Sequence, residues 1–454
     1  MELTLAEVQA ATEARVLNMP DSGVLDEIRA RGWSIDSRTA ASGDLFFAIK
    51  GERYDGHVFV EGVMKAGAVA AVVSEAAAIG IGPLLEVSDT VRALQQAAHW
   101  ARRQWGRPVV AVTGSAGKTS TKDIVAQLLS TRLRVGKTIG NFNNHIGLPL
   151  ALLRIPEDAE VGVLEMGMSH AGEIRHLAAI AEPSIGVVTT VGYAHVEAFD
   201  SIEGVAGAKR ELIESLPDSG VAVLNADDER VLAFRDAHSG RTLTYGFSEK
   251  AEVRATAVEM DAEGAWFTVS GVRFRTRLVG RHSVSNILAG LAVAKLFELD
   301  FEHLVGTVAA LAPETMRGER RLWNGITILN DSYNSNPEAA RNMVDVLTAE
   351  PARRRIAVLG EMLELGQFSE KLHRDLGVYA ANAGVDVLVG VRGVSRLMVE
   401  EARKAGLAGH AALFFDEPEE AGAFLRLSVR AGDAVLFKGS RATHVEKALA
   451  TMEA

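Results

Sequence analysis

Residues 109–122 read VVAVTGSAGKTSTK, and the reading of this stretch decides the fold. Four apolar residues lead into a turn with two glycines, and Lys118-Thr119 then opens the periodic stretch 123–129, DIVAQLL. That is strand, tight loop and helix. In this setting backbone N–H groups turn toward an anion at the helix N-terminus, where unpaired donors and the helix dipole favour phosphate. A full P-loop asks for Gly-x-x-x-x-Gly-Lys-Ser/Thr, but the early glycine is Val112 here. The loop is a short form. Gly114, Ser115, Ala116 and Gly117 would wrap phosphate, Lys118 would reach the outer phosphates, and Thr119, with Ser120 beside it, would offer a hydroxyl to magnesium. An ordinary glycine turn has no need of Gly-Lys-Thr at a helix start, so a nucleoside triphosphate site is expected.

The chain has 454 residues, more than one hydrophobic core usually supports, so two or three domains are expected. Hydrophobic residues make up 48% and charged residues 24%, the balance of a globular protein, and the formal net charge of −11 argues against nucleic-acid backbone binding. Anionic ligands must then be met by local basic sites. No run approaches the roughly 18 apolar residues of a membrane span, and the N-terminus lacks the basic and apolar regions of a leader, so a cytoplasmic protein without membrane insertion is expected. With no cysteine, any metal must sit on oxygen or imidazole ligands, which suits magnesium.

Up to about Trp105, short apolar runs such as 44–49 (DLFFAI) and 68–73 (AVAAVV) mix with helical stretches into a small α/β unit. Arg102 to Pro108 reads as a linker. From Val109 the runs VVAVTG, VGVLEMG (161–167), SIGVVTTVG (184–192), VAVLNADD (221–228) and TLTYGF (242–247) alternate with helical segments, which implies a doubly wound, mainly parallel sheet. Residues 251–280 alternate over shorter spans around Asp261-Ala262-Glu263-Gly264 and suggest an antiparallel hairpin, and a helix is expected from Val284 to Leu299. ITILND, RIAVLG, VDVLVG, AALFF and AVLFKG then announce a second, Rossmann-like α/β domain. The expected division is 1–105, 106–318 and 319–454.

The polar motifs fall at strand ends. Glu165 closes VGVLE, where a P-loop protein keeps its second metal-binding acid, although acids after strands are common. His195, past another apolar strand, is either structural or part of a magnesium site. Lys209 is either a solvated helix lysine or a carbamate, in which the amine has captured carbon dioxide and gained oxygen ligands. The amide-rich loop with Asn143 and Asn144 is either a polar connection or a contact for a polar substrate. In 330–337, NDSYNSNP, Ser335 or Asn336 can cap the following helix, while Asp331 can accept from ribose hydroxyls with Tyr333 and Asn334 beside a base.

Taken in order, TGSAGKTSTK, NFNNHIGLP, EMGMSHAGEI, AHVEAF, AKREL, MRGER, NDSYNSNPEA, GEMLELG and FKGSR resemble the Mur ligases from end to end. Within that family the chain looks most like the dipeptide-adding branch, and the short P-loop is the family's own form. The resemblance implies a monomer that uses ATP to phosphorylate the peptide carboxylate of UDP-N-acetylmuramoyl-tripeptide. The amine of D-alanyl-D-alanine would attack the acyl phosphate, and phosphate would leave. It also implies that Thr119 and Glu165 hold one Mg2+, that His195 and a carbamylated Lys209 hold or position a second, and that Asn286 lies near adenine. Arg317 and Asp331 would clamp ATP from the last domain, and Ser37 and Arg38 would meet the UDP end. Ser283 departs from the asparagine expected after His282. A sister ligase that adds the third amino acid shares most of these motifs, but the last domain lacks an Asp-Asn-Pro-Arg-like motif. A P-loop ATPase switch would need neither the amide-rich loop nor a UDP-type first domain.

Overall fold

The computed structural model describes residues 1–19, 24–51, 54–74 and 81–454. The runs of buried Val, Leu, Ile and Ala form strands with both faces covered, as parallel sheets require. In the first hundred residues a five-stranded sheet has the order Arg15–Leu17, Leu84–Glu86, Ala70–Val73, Asp44–Phe47, Gly32–Ser34, and only its first pair is antiparallel. The helix Thr90–Trp105, capped by Asp89, follows it. Arg102 to Pro108, expected as a linker, is therefore helical through Trp105. The reason is burial: Arg102 is only 8% exposed, and its guanidinium donates to the Ala181 and Glu182 carbonyls at 2.7 and 3.0 Å.

The seven-stranded central sheet is parallel throughout, in the order Val253–Arg254, Arg241–Gly246, Val221–Asn225, Ile185–Val188, Val109–Thr113, Val161–Glu165, Val135–Lys137. From Val109–Thr113 the chain runs to the edge strand, returns by Val161–Glu165 and then crosses to the other side. The P-loop thus lies at a topological switch point, where open α/β sheets take their ligands. The expected hairpin is a three-stranded antiparallel meander, Thr256–Asp261, Gly264–Val269, Val272–Thr276. Its second turn is Ser270-Gly271, with φ of 50° and 85°, a two-residue connection whose serine hid the signal. The helix expected from Val284 begins earlier and spans Arg281–Leu296. It packs on the helix Lys118–Leu129 so closely that a Cβ on Gly290 would sit 2.7 Å from Ile124 Cγ2.

The last sheet has six strands. Glu319–Trp323 is antiparallel to Ile326–Asp331, and Asp433–Lys438, Arg354–Gly360, Val387–Val391 and Ala412–Phe415 continue the sheet in parallel. All five strands read from sequence are present, and an edge strand precedes them. Among the described residues no helix is long and apolar enough to cross a membrane.

Candidate functional site

The loop after Val109–Thr113 has its shape imposed by neighbours. Gly114 has φ 149° and Gly117 φ 81°. A Cβ on Gly114 would meet Thr189 Oγ1 at 1.8 Å, and one on Gly117 would meet Asn286 Oδ1 at 2.6 Å. Only glycine fits either place. The loop is also bonded to the next strand end: Ser115 N–H donates to Thr190 O at 2.8 Å, Gly192 N–H to Ser115 Oγ at 2.8 Å, and Thr189 Oγ1 to Ala116 O at 2.5 Å. Thr121 N–H donates to Gly117 O at 2.8 Å, so the N–H groups ahead of it open the helix, where anions are favoured. Lys118 Nζ donates to Gly114 O at 2.7 Å. Loss of solvent lowers its pKa, the charge of Glu165 opposes that shift, and Arg317 reinforces it.

Glu165 is 2% exposed. Its Oε1 accepts from Asn143 Nδ2 at 2.7 Å, while its Oε2 is buried and has no hydrogen-bond partner among the described residues. A buried, unpartnered carboxylate oxygen is costly unless a cation completes it. Thr119, buried in the first turn of the helix, supplies a hydroxyl of the kind that accompanies such a cation. Among the described residues no group of three or more His, Asp or Glu forms a ready-made metal cage. A hydroxyl, one carboxylate and nucleotide phosphates are the donor set that suits magnesium.

These groups border a cavity of about 990 Å³ between the central and last sheets. The central part contributes the loop, Glu165, His195, Asn143, Asn144 and Asn286, the segment leading into the last sheet contributes Arg317, and the last part contributes Asp331, Tyr333 and Asn334. Arg317 lies over the Tyr333 ring, 4.0 Å from its centre. Asn144 Oδ1 accepts from Gly147 N–H at 2.8 Å and so organises the start of the helix Gly147–Leu153, while Asn143 braces Glu165. Asn336, not Ser335, caps Pro337–Ala349 through Ala339 N–H, and its amide donates to Ser115 O at 3.2 Å across the cavity.

Lys209 does not border the cavity; it is on Ile202–Glu214 and 2% exposed. The reading of a solvated helix lysine is thereby excluded. Burial first, and then the Lys118 charge, holds its pKa well below the usual lysine range, and among the described residues no carboxylate pairs with it. A neutral amine is the form that reacts with carbon dioxide. Ser37 and Arg38 do not line the cavity and follow the first-sheet strand Gly32–Ser34. Arg38 is largely exposed and donates to the Asp36 carboxylate at 2.9 and 2.5 Å, which pulls Asp36 down to about 2.

Some cavity residues carried no role in the sequence reading. Lys438 is 2% exposed, and its Nζ donates to Asp331 Oδ2 at 2.5 Å and Asn334 O at 3.0 Å. It stood in the quoted FKGSR, but its charge partner came from another strand. Thr189 and Thr190 sat inside an apolar run, and their hydroxyls gave no spacing signal. Phe247, under the Arg281 guanidinium at 3.8 Å, followed an ordinary strand.

Comparison with known proteins agrees with this geometry. Family models described as Mur ligase family catalytic domain, Mur ligase middle domain and Mur ligase glutamate ligase domain match residues 29–123, 112–294 and 316–441. The UDP-N-acetylmuramoyl-tripeptide--D-alanyl-D-alanine ligase of Bacillus subtilis strain 168 is 35% identical over 423 residues, 92% of each chain. A crystal structure of MurF from Acinetobacter baumannii superposes with a TM-score of 0.91 at 30% identity, covering 100% of this chain and 99% of that one. The MurF ligase of Thermotoga maritima in complex with ADP gives 0.83 at 29%, covering 93% and 97%. With a short P-loop facing a Rossmann-like sheet across one cavity, and with likeness along nearly the whole length, the chain belongs to the Mur ligase family.

Proposed function

We propose that the protein joins D-alanyl-D-alanine to UDP-N-acetylmuramoyl-tripeptide with ATP, giving the UDP-N-acetylmuramoyl-pentapeptide. The observation that carries this reading is the match over 92% of both chains with the dipeptide-adding ligase of Bacillus subtilis. The work divides among residues 1–105 for the UDP substrate, 106–318 for ATP, and 319–454 for the dipeptide and closure on ATP.

A carboxylate is a poor electrophile, so phosphorylation supplies a leaving group. The task left to the protein is positioning and charge neutralisation. Lys118 and the helix N-terminus take the outer phosphates, while Arg317, Asp331, Tyr333, Asn334 and Asn286 hold the nucleoside side. The amine of the dipeptide attacks the acyl phosphate carbon, the tetrahedral adduct expels phosphate, and an amide remains. Mg2+, when bound, supplies charge neutralisation at the transferring phosphoryl group. Thr119 and the free oxygen of Glu165 would hold it, with His195 and Lys209, as its carbamate, at a second position. The unpartnered Glu165 Oε2 and the buried, unpaired Lys209 support these assignments. Ser37 and Arg38 are assigned to the UDP end.

Product mass tests the reading. Purified protein with ATP, magnesium, UDP-N-acetylmuramoyl-tripeptide and D-alanyl-D-alanine should yield the pentapeptide only when all four are present. Addition of a single amino acid would move the chain to a sister ligase, and ATP loss without ligation would make it a switch.

A further inference from the structure

His195 and Glu364 come from different sheets, yet His195 Nδ1 and Glu364 Oε2 are 2.5 Å apart. The pair does not rest on a single side-chain contact. Glu197 N–H donates to Glu364 O at 3.1 Å, and the Tyr193 and Phe368 rings meet with centres 5.8 Å apart. A Cβ on Gly366 would lie 2.9 Å from Glu197 Cα, so the two loops are in close contact. Both members of the pair also have left-handed backbones, His195 with φ 61° and Glu364 with φ 62°. Such a conformation in a residue other than glycine costs on the order of 1 kcal/mol or more and persists where surrounding contacts enforce it. Two strained residues facing each other across a sheet boundary mark a built contact.

We infer that Glu364 is a positioning residue, which takes the His195 Nδ1 proton in a hydrogen bond when the last domain is docked and thereby turns Nε2 toward the cavity. An imidazole that presents one nitrogen to a metal or phosphate usually has its tautomer set by the bond its other nitrogen makes. Here the partner that sets it arrives with the domain proposed to bring the dipeptide. The histidine is therefore oriented only in the closed arrangement, and phosphoryl transfer is coupled to closure. This inference rests on the ligase reading for its kinetic part and on geometry alone for its spectroscopic part.

The test uses the full-length protein with Glu364→Ala, Glu364→Gln and His195→Ala. In metal-free wild type, nitrogen-15 spectra of the His195 ring should show the Nδ1–H tautomer, which Glu364→Ala should lose and Glu364→Gln, whose amide oxygen still accepts, should keep. In turnover, Glu364→Ala should lower kcat by about 10–100-fold, with little change in KM for the UDP substrate. Glu364→Gln should recover most of the loss, and adding Glu364→Ala to His195→Ala should cost nothing further. An unchanged ring spectrum in Glu364→Ala, or a loss that adds fully to that of His195→Ala, would overturn the inference. Absence of ligated product from wild type would instead remove the ligase reading and leave the spectroscopic result standing.

Discussion

The central and last sheets face each other across one cavity with strand ends of opposite character. On the central side the phosphate loop is held by backbone shape and by bonds from Thr189, Thr190 and Gly192. On the other side the contributions are side chains at a helix start: the amide of Asn336, which caps Pro337–Ala349, and the Glu338 carboxylate in its first turn, which accepts from Tyr193 N–H at 3.2 Å. Burial raises the pKa of Glu338. One half is held by bonds within its own sheet, and the other reaches the site through contacts across the cavity. Holding the loop and bridging the cavity are thus separated in space, and each can be attacked alone.

The largest effect should come from the half that holds the loop. Lys118→Ala should lower ligation by on the order of 10³-fold and leave binding of the UDP substrate intact, as read by turnover and calorimetry; normal turnover would place the phosphates elsewhere. Lys209→Ala should lose about 10–100-fold, with partial recovery on adding formate or acetate, and a failure of both acids to restore activity would exclude the carbamate. Gly114→Ala should cost about 2 kcal/mol in a denaturation midpoint, because the new methyl meets Thr189 in a strained backbone. Arg38→Ala, after the first-sheet strand Gly32–Ser34, should raise KM for the UDP substrate several-fold and leave that for ATP alone; the reverse pattern would misplace the UDP end. Asn336→Ala, in the bridging half, removes a helix cap and one cross-cavity bond. It should cost only about 1 kcal/mol by thermal melting, and an effect as large as that of Lys118→Ala would erase the contrast between the halves.

The same contrast explains what sequence could reveal. Gly114 to Thr119 was legible because its chemistry is local: strand, glycine turn and helix N-terminus are consecutive residues with one geometric purpose. Strands of both large sheets were legible for a similar reason, since burial on two faces writes continuous apolar runs such as VVAV and AVLF. Lys438 was not, because its value lies in Asp331, 107 positions away. Glu364 stood in a quoted motif yet carried no role, since nothing in the order of residues says that its loop meets His195. Arg102 was misread because a basic stretch before glycine and proline looks like a connection, whereas its guanidinium is satisfied by carbonyls from a distant helix end. Composition at such points reports charge and leaves out the partner.

The helix Thr90–Trp105 has a thermodynamic consequence. Its Leu94, Ala97, Ala98 and Ala101 share a single apolar cluster with Leu45 and Phe47 of the first sheet and with Leu148, Leu152 and Ile180 beside the central one. A break in the chain at residue 105 would part the helix from Gly147–Leu153 and Glu173–Ala181, the helices it packs against beyond that point. The same cluster takes in Leu329, Leu359, Ala434 and Leu436 of the last sheet, so heat meets three sheets joined through continuous apolar packing and not three separate cores. A chimaera that exchanges only the first hundred residues between relatives would have to rebuild that seam.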